Sequence, residues 1–209
     1  MFQTEWLSII IISYLLGAIP TAYLITRLCG INIFDIGSGN MGATNAARVM
    51  GIGWGILVWL LDMSKGAIAI LLARHIMDSN MAWATVLAAI AAIVGHNWSL
   101  FVAIITGKLR GGKGASVAFA SLILIAPHIV IPVALVGVAI LLVTRYVSLS
   151  VLVMFAVATL WLFVLISQKA MAQEYSIYAI TVAVLIAYRF RDNIQRLLTG
   201  TERRLGDRA

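Results

Sequence analysis

ASVAFASLILIAPHIVIPVALVGVAILLV, residues 115–143, sets how many times this chain crosses a membrane. It is almost wholly apolar and carries a proline near its middle, Pro127. It can be one long helix kinked at that proline, which membrane helices tolerate when neighbours satisfy the freed carbonyls. Alternatively it is two segments, Ala115 to Ala126 and Ile129 to Val143. The choice changes the number of membrane crossings by one, and so the side on which every later loop falls.

Outward from it, further apolar stretches run over Trp6–Leu28, Ile52–Ala73, Met81–Ile105, Leu149–Ser167 and Tyr175–Ala187. A crossing needs roughly 20 residues. The chain has 209 residues, of which 62% are hydrophobic and 11% charged, far from the roughly 25% charged of soluble domains. A water-soluble globule is excluded. The first stretch lacks the basic start and small-residue cleavage site of a signal peptide and reads as a retained span. The single cysteine, Cys29, excludes an internal disulfide and a multi-cysteine metal site.

Charge settles the parity. With seven spans and an external N-terminus, one side collects Arg27, Arg48, Lys108, Arg110, Lys113, Arg145, Arg189, Arg191, Arg196, Arg203, Arg204 and Arg208, and the other keeps only Arg74 and Lys169. Six spans would move either the basic tail or the loop holding Arg48 across, against the positive-inside bias. The prediction is therefore an all-α polytopic bundle of about seven helices with a cytoplasmic C-terminus. It forms a single membrane domain, 1–209, whose residues 188–209 are a basic tail. The fourth segment is the short one, about 18 Å against a core of about 30 Å. The net charge of +7 then describes one face, where orientation and anionic headgroups account for it without nucleic acid.

Three polar islands fall on that same face. The first, GSGNMGATNAAR over Gly37–Arg48, formally matches the dinucleotide pattern of spaced glycines, but a membrane helix precedes it in place of a strand. What survives is physical. Gly37, Gly39 and Gly42 permit positive φ and close backbone approach, so successive N–H groups can turn toward an anion. Ser38, Asn40, Thr44 and Asn45 add neutral donors, and Arg48 adds a planar charged fork suited to phosphate.

The second island is GHNWS, Gly95–Ser99, followed by KLRGGKG, Lys108–Gly114. With Gly107 it comes within one residue of a P-loop, yet Gly114 stands where the magnesium-binding hydroxyl would be, so nucleotide hydrolysis is not supported. Lys113 at the start of a helix, with the Gly111 and Gly112 amides, is a second anion seat. His96 can donate to an oxyanion, act as a base, or cap the interface. His75 and His128 fall on the opposite side and read as structural.

The third island runs from Tyr188 to Glu202. On a helix Arg189, Asn193 and Arg196 share a face, while Ile194, Leu197 and Leu198 suit an interfacial segment. Asp62 and Lys65, three apart inside the second span, read either as a structural ion pair or as a wall of a site. Arg145-Tyr-Val-Ser148 adds a cation and a hydroxyl in a turn.

Taken together, in order and spacing, these fragments resemble the bacterial acyl-phosphate-dependent glycerol-3-phosphate acyltransferases, the PlsY family. They are Gly17-Ala-Ile-Pro20, Asp35 to Asn45 with Arg48, Asp62 to Gly66, Gly95 to Ser99, Gly111 to Gly114, Arg145 to Ser148 and Asn193 to Glu202. The resemblance implies a seven-helix enzyme of the bacterial inner membrane with its active site at the cytoplasmic face. The reaction it implies moves a fatty acyl group from acyl phosphate to the 1-hydroxyl of glycerol 3-phosphate, giving lysophosphatidate and phosphate, the first acylation of phospholipid synthesis. It implies Ser38, His96 and Asn193 as catalytic residues. Gly37, Gly39, Asn40, Gly42, Thr44, Asn45, Arg48, Gly111, Gly112, Lys113 and Ser148 would bind substrate, with Glu202 more distant.

No metal or cofactor is implied, because the donor is already activated. One departure is clear: relatives read Tyr-Arg-His-Arg before the tail asparagine, and here Phe190 replaces that histidine. Two proton routes follow, one through His96 and one through an oxygen of the acyl phosphate itself, and the second is favoured. An organic-phosphate transporter is the alternative from another class. It fits less well because the islands gather on one side instead of at the midplane.

Overall fold

The structure is a computed structural model in which residues 2–206 are described; Arg208, counted above among the tail cations, lies outside them. The described residues form helices and no strand, only an isolated antiparallel bridge between Ser99 and Arg110. They divide into two compact units, one up to Ser121 and one from Leu122 onward.

In the first unit, α1 (Phe2–Ala18) and α2 (Thr21–Leu28) are separated by Ile19-Pro20. Pro20 has no N–H to continue the ladder, so α1 ends at Ala18 and leaves carbonyls that lipid cannot satisfy. Side chains from elsewhere in the unit take them up: Ser99 Oγ donates to the Ala18 carbonyl at 2.5 Å and Lys65 Nζ to that of Ile19 at 2.8 Å. A proline break thus becomes an attachment point for two polar groups.

Three more helices follow, α3 (Ala43–Met50), α4 (Ile52–Ile76) and α5 (Met81–Asn97). Helix α1 packs against α4 and α5, and α3 against α4. The α1–α5 contact is close because glycines permit it. A Cβ on Gly17 would lie 2.0 Å from the Ala92 carbonyl oxygen, and one on Gly95 2.1 Å from that of Tyr14. Small residues are what let membrane helices approach this far. The opposite faces carry exposed Leu60, Leu61, Ile68, Leu71 and Leu72, as expected for helices surrounded by hydrocarbon.

The predicted span Met81–Ile105 is two helices, not one. Helix α5 stops at Asn97, and α6 (Leu100–Thr106) starts anew with Ser99 accepting from the Val102 amide at 3.2 Å. The polar GHNWS sequence is the cause, since Ser99 caps the next helix instead of prolonging the last. Gly107 then ends α6 in the left-handed region at φ 69°.

The stretch at 115–143 divides as predicted, into α7 (Ala115–Ile125) and α8 (Pro127–Thr144), with Pro127 at the first position of α8, where its missing N–H costs nothing. In the second unit α9 (Val147–Ser167) packs against α8, α10 (Tyr175–Arg189) and α11 (Arg191–Leu198). Ser150 Oγ donates to the Gly137 carbonyl at 2.6 Å and stitches α8 to α9.

Among the described residues, five stretches are long and apolar enough to cross a membrane: Thr4–Leu28, Ile52–Ile76, Asp78–Asn97, Pro127–Thr144 and Val147–Ser167. Two apolar helices of 10–17 residues, Ala115–Ile125 and Tyr175–Arg189, are shorter.

Candidate active site

The first predicted loop is built on a small core of its own. Ala22, Tyr23, Ile33, Phe34, Met41, Ala46, Val58 and Val102 are buried together, so α2, the loop, α3, α4 and α6 share one support. Gly37 and Gly39 adopt positive φ, 66° and 64°, as the anion-nest reading requires. Gly42 does not; it is extended at φ −109° and caps α3.

Asn45 organises the loop. It is buried, its Oδ1 accepts from the Ser38 amide at 2.9 Å, and its Nδ2 lies 3.2, 3.2 and 3.0 Å from the carbonyls of Ile33, Ile36 and Asn40. Its hydrogen bonding is thus directed into the loop, and it fixes the backbone on which Ser38 stands. Asn40 Nδ2 adds a further bond to the Ser38 carbonyl at 3.0 Å. Thr44 and Arg48 follow on α3, both partly buried.

The second loop folds against the end of α5. The Gly112 amide donates to the His96 carbonyl at 2.9 Å, and the Ser99 amide to the Arg110 carbonyl at 3.3 Å. There is no room for side chains at its glycines: a Cβ on Gly111 would meet the His96 carbonyl oxygen at 2.3 Å, and one on Gly112 would meet His96 Nε2 at 2.0 Å. Lys113 emerges partly buried just ahead of α7.

The two loops, separate in sequence, share a contact that sequence reading missed. The Arg110 guanidinium stacks 3.8 Å over the Phe34 ring, whose other neighbour is Tyr23 with centroids 5.6 Å apart. A cation–π contact of this kind contributes roughly 0.5–2 kcal/mol. Its signal in the sequence is only an aromatic just ahead of the first polar island and an arginine among several.

The pair Asp62 and Lys65, left open above between structure and site, is buried inside the first unit. Lys65 Nζ lies 2.9 Å from Asp62 Oδ1, Thr21 Oγ1 also donates to that oxygen, and His96 Nδ1 stands 3.6 Å from it. Its charges are paired, as burial demands.

In the second unit the predicted Ser148 and Asn193 meet at Glu202. Ser148 Oγ and Asn193 Nδ2 donate to Glu202 Oε1 at 2.8 and 2.6 Å, and Arg196 Nε donates to Oε2 at 2.7 Å. Glu202 is therefore the hub of its cluster. Farther along, Arg145 ties the tail back: its Nη2 donates to the Leu205 carbonyl at 2.7 Å, and its own carbonyl accepts from the Leu205 amide at 2.6 Å. Phe190 is buried between α10 and α11.

Burial favours the neutral acid at Glu202, but the bonds from Ser148, Asn193 and Arg196 outweigh it and hold the carboxyl below its ordinary 4.5. A depressed folded value means that the stabilisation is complete above the unfolded value and is lost as pH falls through the folded one. Thermal unfolding of wild type and Glu202→Gln should therefore differ at neutral pH, with the gap closing as the buffer is taken below pH 4.5. A gap constant with pH would remove the carboxylate from the explanation.

A family model described as glycerol-3-phosphate acyltransferase matches residues 7–200. The chain belongs to the PlsY family of glycerol-3-phosphate acyltransferases. It is 38% identical over 205 residues to a glycerol-3-phosphate acyltransferase of Halalkalibacterium halodurans, covering 98% of this chain and 97% of that one. It is equally 38% identical to glycerol-3-phosphate acyltransferase 2 of Moorella thermoacetica, covering 98% and 100%.

Its fold is similar to crystal structures of PlsY, an integral membrane glycerol 3-phosphate acyltransferase. In the glycerol 3-phosphate form the TM-score is 0.85 at 36% identity, covering 96% of each chain; in the lysophosphatidic acid form it is 0.83 at 36% identity, covering 96% and 95%. The protein is thus a multi-pass membrane acyltransferase, and the transporter reading is set aside.

Proposed function

We propose that this PlsY-family enzyme acylates the 1-hydroxyl of glycerol 3-phosphate with acyl phosphate as donor, releasing lysophosphatidate and inorganic phosphate. The observation that carries the reading is the pairing of two glycine loops on one support, the Arg110–Phe34 stack, each loop bearing a fixed cation, Arg48 or Lys113. Two phosphorylated reactants repel strongly in a medium of low dielectric, and two anion seats are what such a reaction needs.

Ser38, Asn40, Thr44 and Arg48, on the backbone that Asn45 holds, contact one substrate with the Gly37, Gly39 and Gly42 amides nearby. Gly111 and Lys113 contact the other, the predicted Gly112 amide being used instead by the His96 carbonyl. The glycerol oxygen attacks the acyl carbon, the bond from that carbon to the phosphate oxygen breaks, and the electron pair leaves on phosphate. The released phosphate takes the hydroxyl proton, so no covalent enzyme intermediate, metal or nucleotide is required. His96, buried against Gly112, serves as a support of the loop in this scheme. For the second unit we propose that Ser148 and Asn193 serve the reaction with their Glu202 bonds in place.

The same proposal includes seven crossings in the bacterial inner membrane, an external N-terminus and the loops at the cytoplasmic face. The basic residues gathered on that side support it. The acyl chain then lies among apolar helices while its phosphate reaches the loops.

Donor choice tests the function. Purified enzyme in lipid with glycerol 3-phosphate should form lysophosphatidate from palmitoyl phosphate and little from palmitoyl-CoA. Equal rates with both donors would overturn the assignment.

A further inference from the structure

Inside the first unit a line of polar groups runs from the proline break of α1 to the second glycine loop. It starts at the Ile19 carbonyl, passes through Lys65 Nζ and Asp62 Oδ1, and reaches the His96 imidazole, whose Nε2 faces Gly112. Asp62 is fully buried and His96 nearly so. The carboxylate has more acceptor capacity than the pair with Lys65 uses: Oδ2 is buried without a hydrogen-bond partner among the described residues. A buried carboxylate oxygen left so is costly, and a structural ion pair alone gives no reason for it.

We propose that Asp62 is a positioning residue that acts through His96 on the Gly111–Lys113 loop. A carboxylate can only accept, so a ring nitrogen held toward it carries the proton. His96 Nδ1, 3.6 Å from Asp62 Oδ1, is that nitrogen, and a small movement of the ring closes the gap to a hydrogen bond. The proton on Nδ1 leaves Nε2 an acceptor, and Nε2 is the atom packed against Gly112. Lys65, tied to both Asp62 Oδ1 and the Ile19 carbonyl, neutralises the carboxylate, and Oδ2 keeps its acceptor capacity. The tautomer and angle of the ring therefore follow from the membrane-embedded pair, and the loop that carries Lys113 rests on the ring.

The inference rests on the reading of that loop as a substrate seat, and the experiment separates the two. Enzyme labelled with 15N-histidine would be observed in lipid with glycerol 3-phosphate, His96 being assigned by loss of its signals in His96→Gln. The wild type should show His96 neutral with its proton on Nδ1. A His96 protonated on Nε2 overturns the proposal without recourse to any variant at Asp62.

The charge-neutral double variant Asp62→Asn with Lys65→Met should mix the tautomers. It should also raise KM for a phosphorylated substrate about tenfold, since misplacement of a site by about 1 Å can cost up to 10²-fold. An unchanged tautomer and unchanged KM in a folded double variant would equally overturn it. Failure of the wild type to make lysophosphatidate would instead remove the proposed function, and the tautomer would still decide the place of Asp62.

Discussion

Replacing Lys113 by alanine is expected to lower kcat/KM for acyl transfer by roughly 10- to 150-fold, the equivalent of a charge-assisted hydrogen bond worth roughly 1.5–3 kcal/mol. Lys113 stands at the start of α7, where free N–H groups and the positive end of the helix dipole already favour an anion. The lysine adds the net charge that those partial charges lack. Arg48→Ala should lose a similar factor from the other loop. The check is steady-state kinetics with both substrates varied, alongside thermal unfolding to show that the fold persists. Full activity in both variants would leave the two-seat arrangement without support.

The second large effect is expected at Gly112, which has no charge at all. An alanine there would place its Cβ 2.0 Å from His96 Nε2 and 2.8 Å from each neighbouring ring carbon, so either the imidazole or the loop must move. Overpacking of this kind costs roughly 1–3 kcal/mol in stability. The cost to the reaction should be about a hundredfold, because a site displaced by about 1 Å loses that much. Combining Gly112→Ala with His96→Ala gives the new methyl group room and should recover part of the lost stability, while activity stays low because the loop has lost the ring on which it rests. If the double variant is no more stable than Gly112→Ala alone, crowding by the ring is not the cause.

Much of the fold was readable because its signals are local and strong. Runs of apolar residues mark the helices, and the uneven placement of arginine and lysine decides that residues 115–143 contain two of them, with Pro127 opening the second. The break inside Met81–Ile105 was missed because hydropathy averages over Trp98 and Ser99, whereas the helix responds to a single capping hydroxyl. Helix α7 extends over Ala115–Ile125 only, and its shortness was visible in the sequence.

The site was readable as residue types and less so as relations. Glycine density located both loops, and the positive φ of Gly37 and Gly39 follows from it. Nothing in the string Thr44-Asn45 tells that the asparagine turns inward to hold four loop groups. Likewise Glu202 looked distant because its partners Ser148 and Asn193 are brought to it by the packing of α11 against α9. The Arg110–Phe34 stack depends on the path of two loops, and path is a tertiary property.

In the proposed reaction, acylation of glycerol 3-phosphate is coupled to the breakdown of an acyl phosphate. The most direct test measures both products in one reaction, lysophosphatidate by mass spectrometry and inorganic phosphate by colorimetry, from palmitoyl phosphate and glycerol 3-phosphate. Equal amounts of the two, each requiring both substrates, are predicted. Phosphate released without lysophosphatidate, or lysophosphatidate formed without phosphate, would contradict the account.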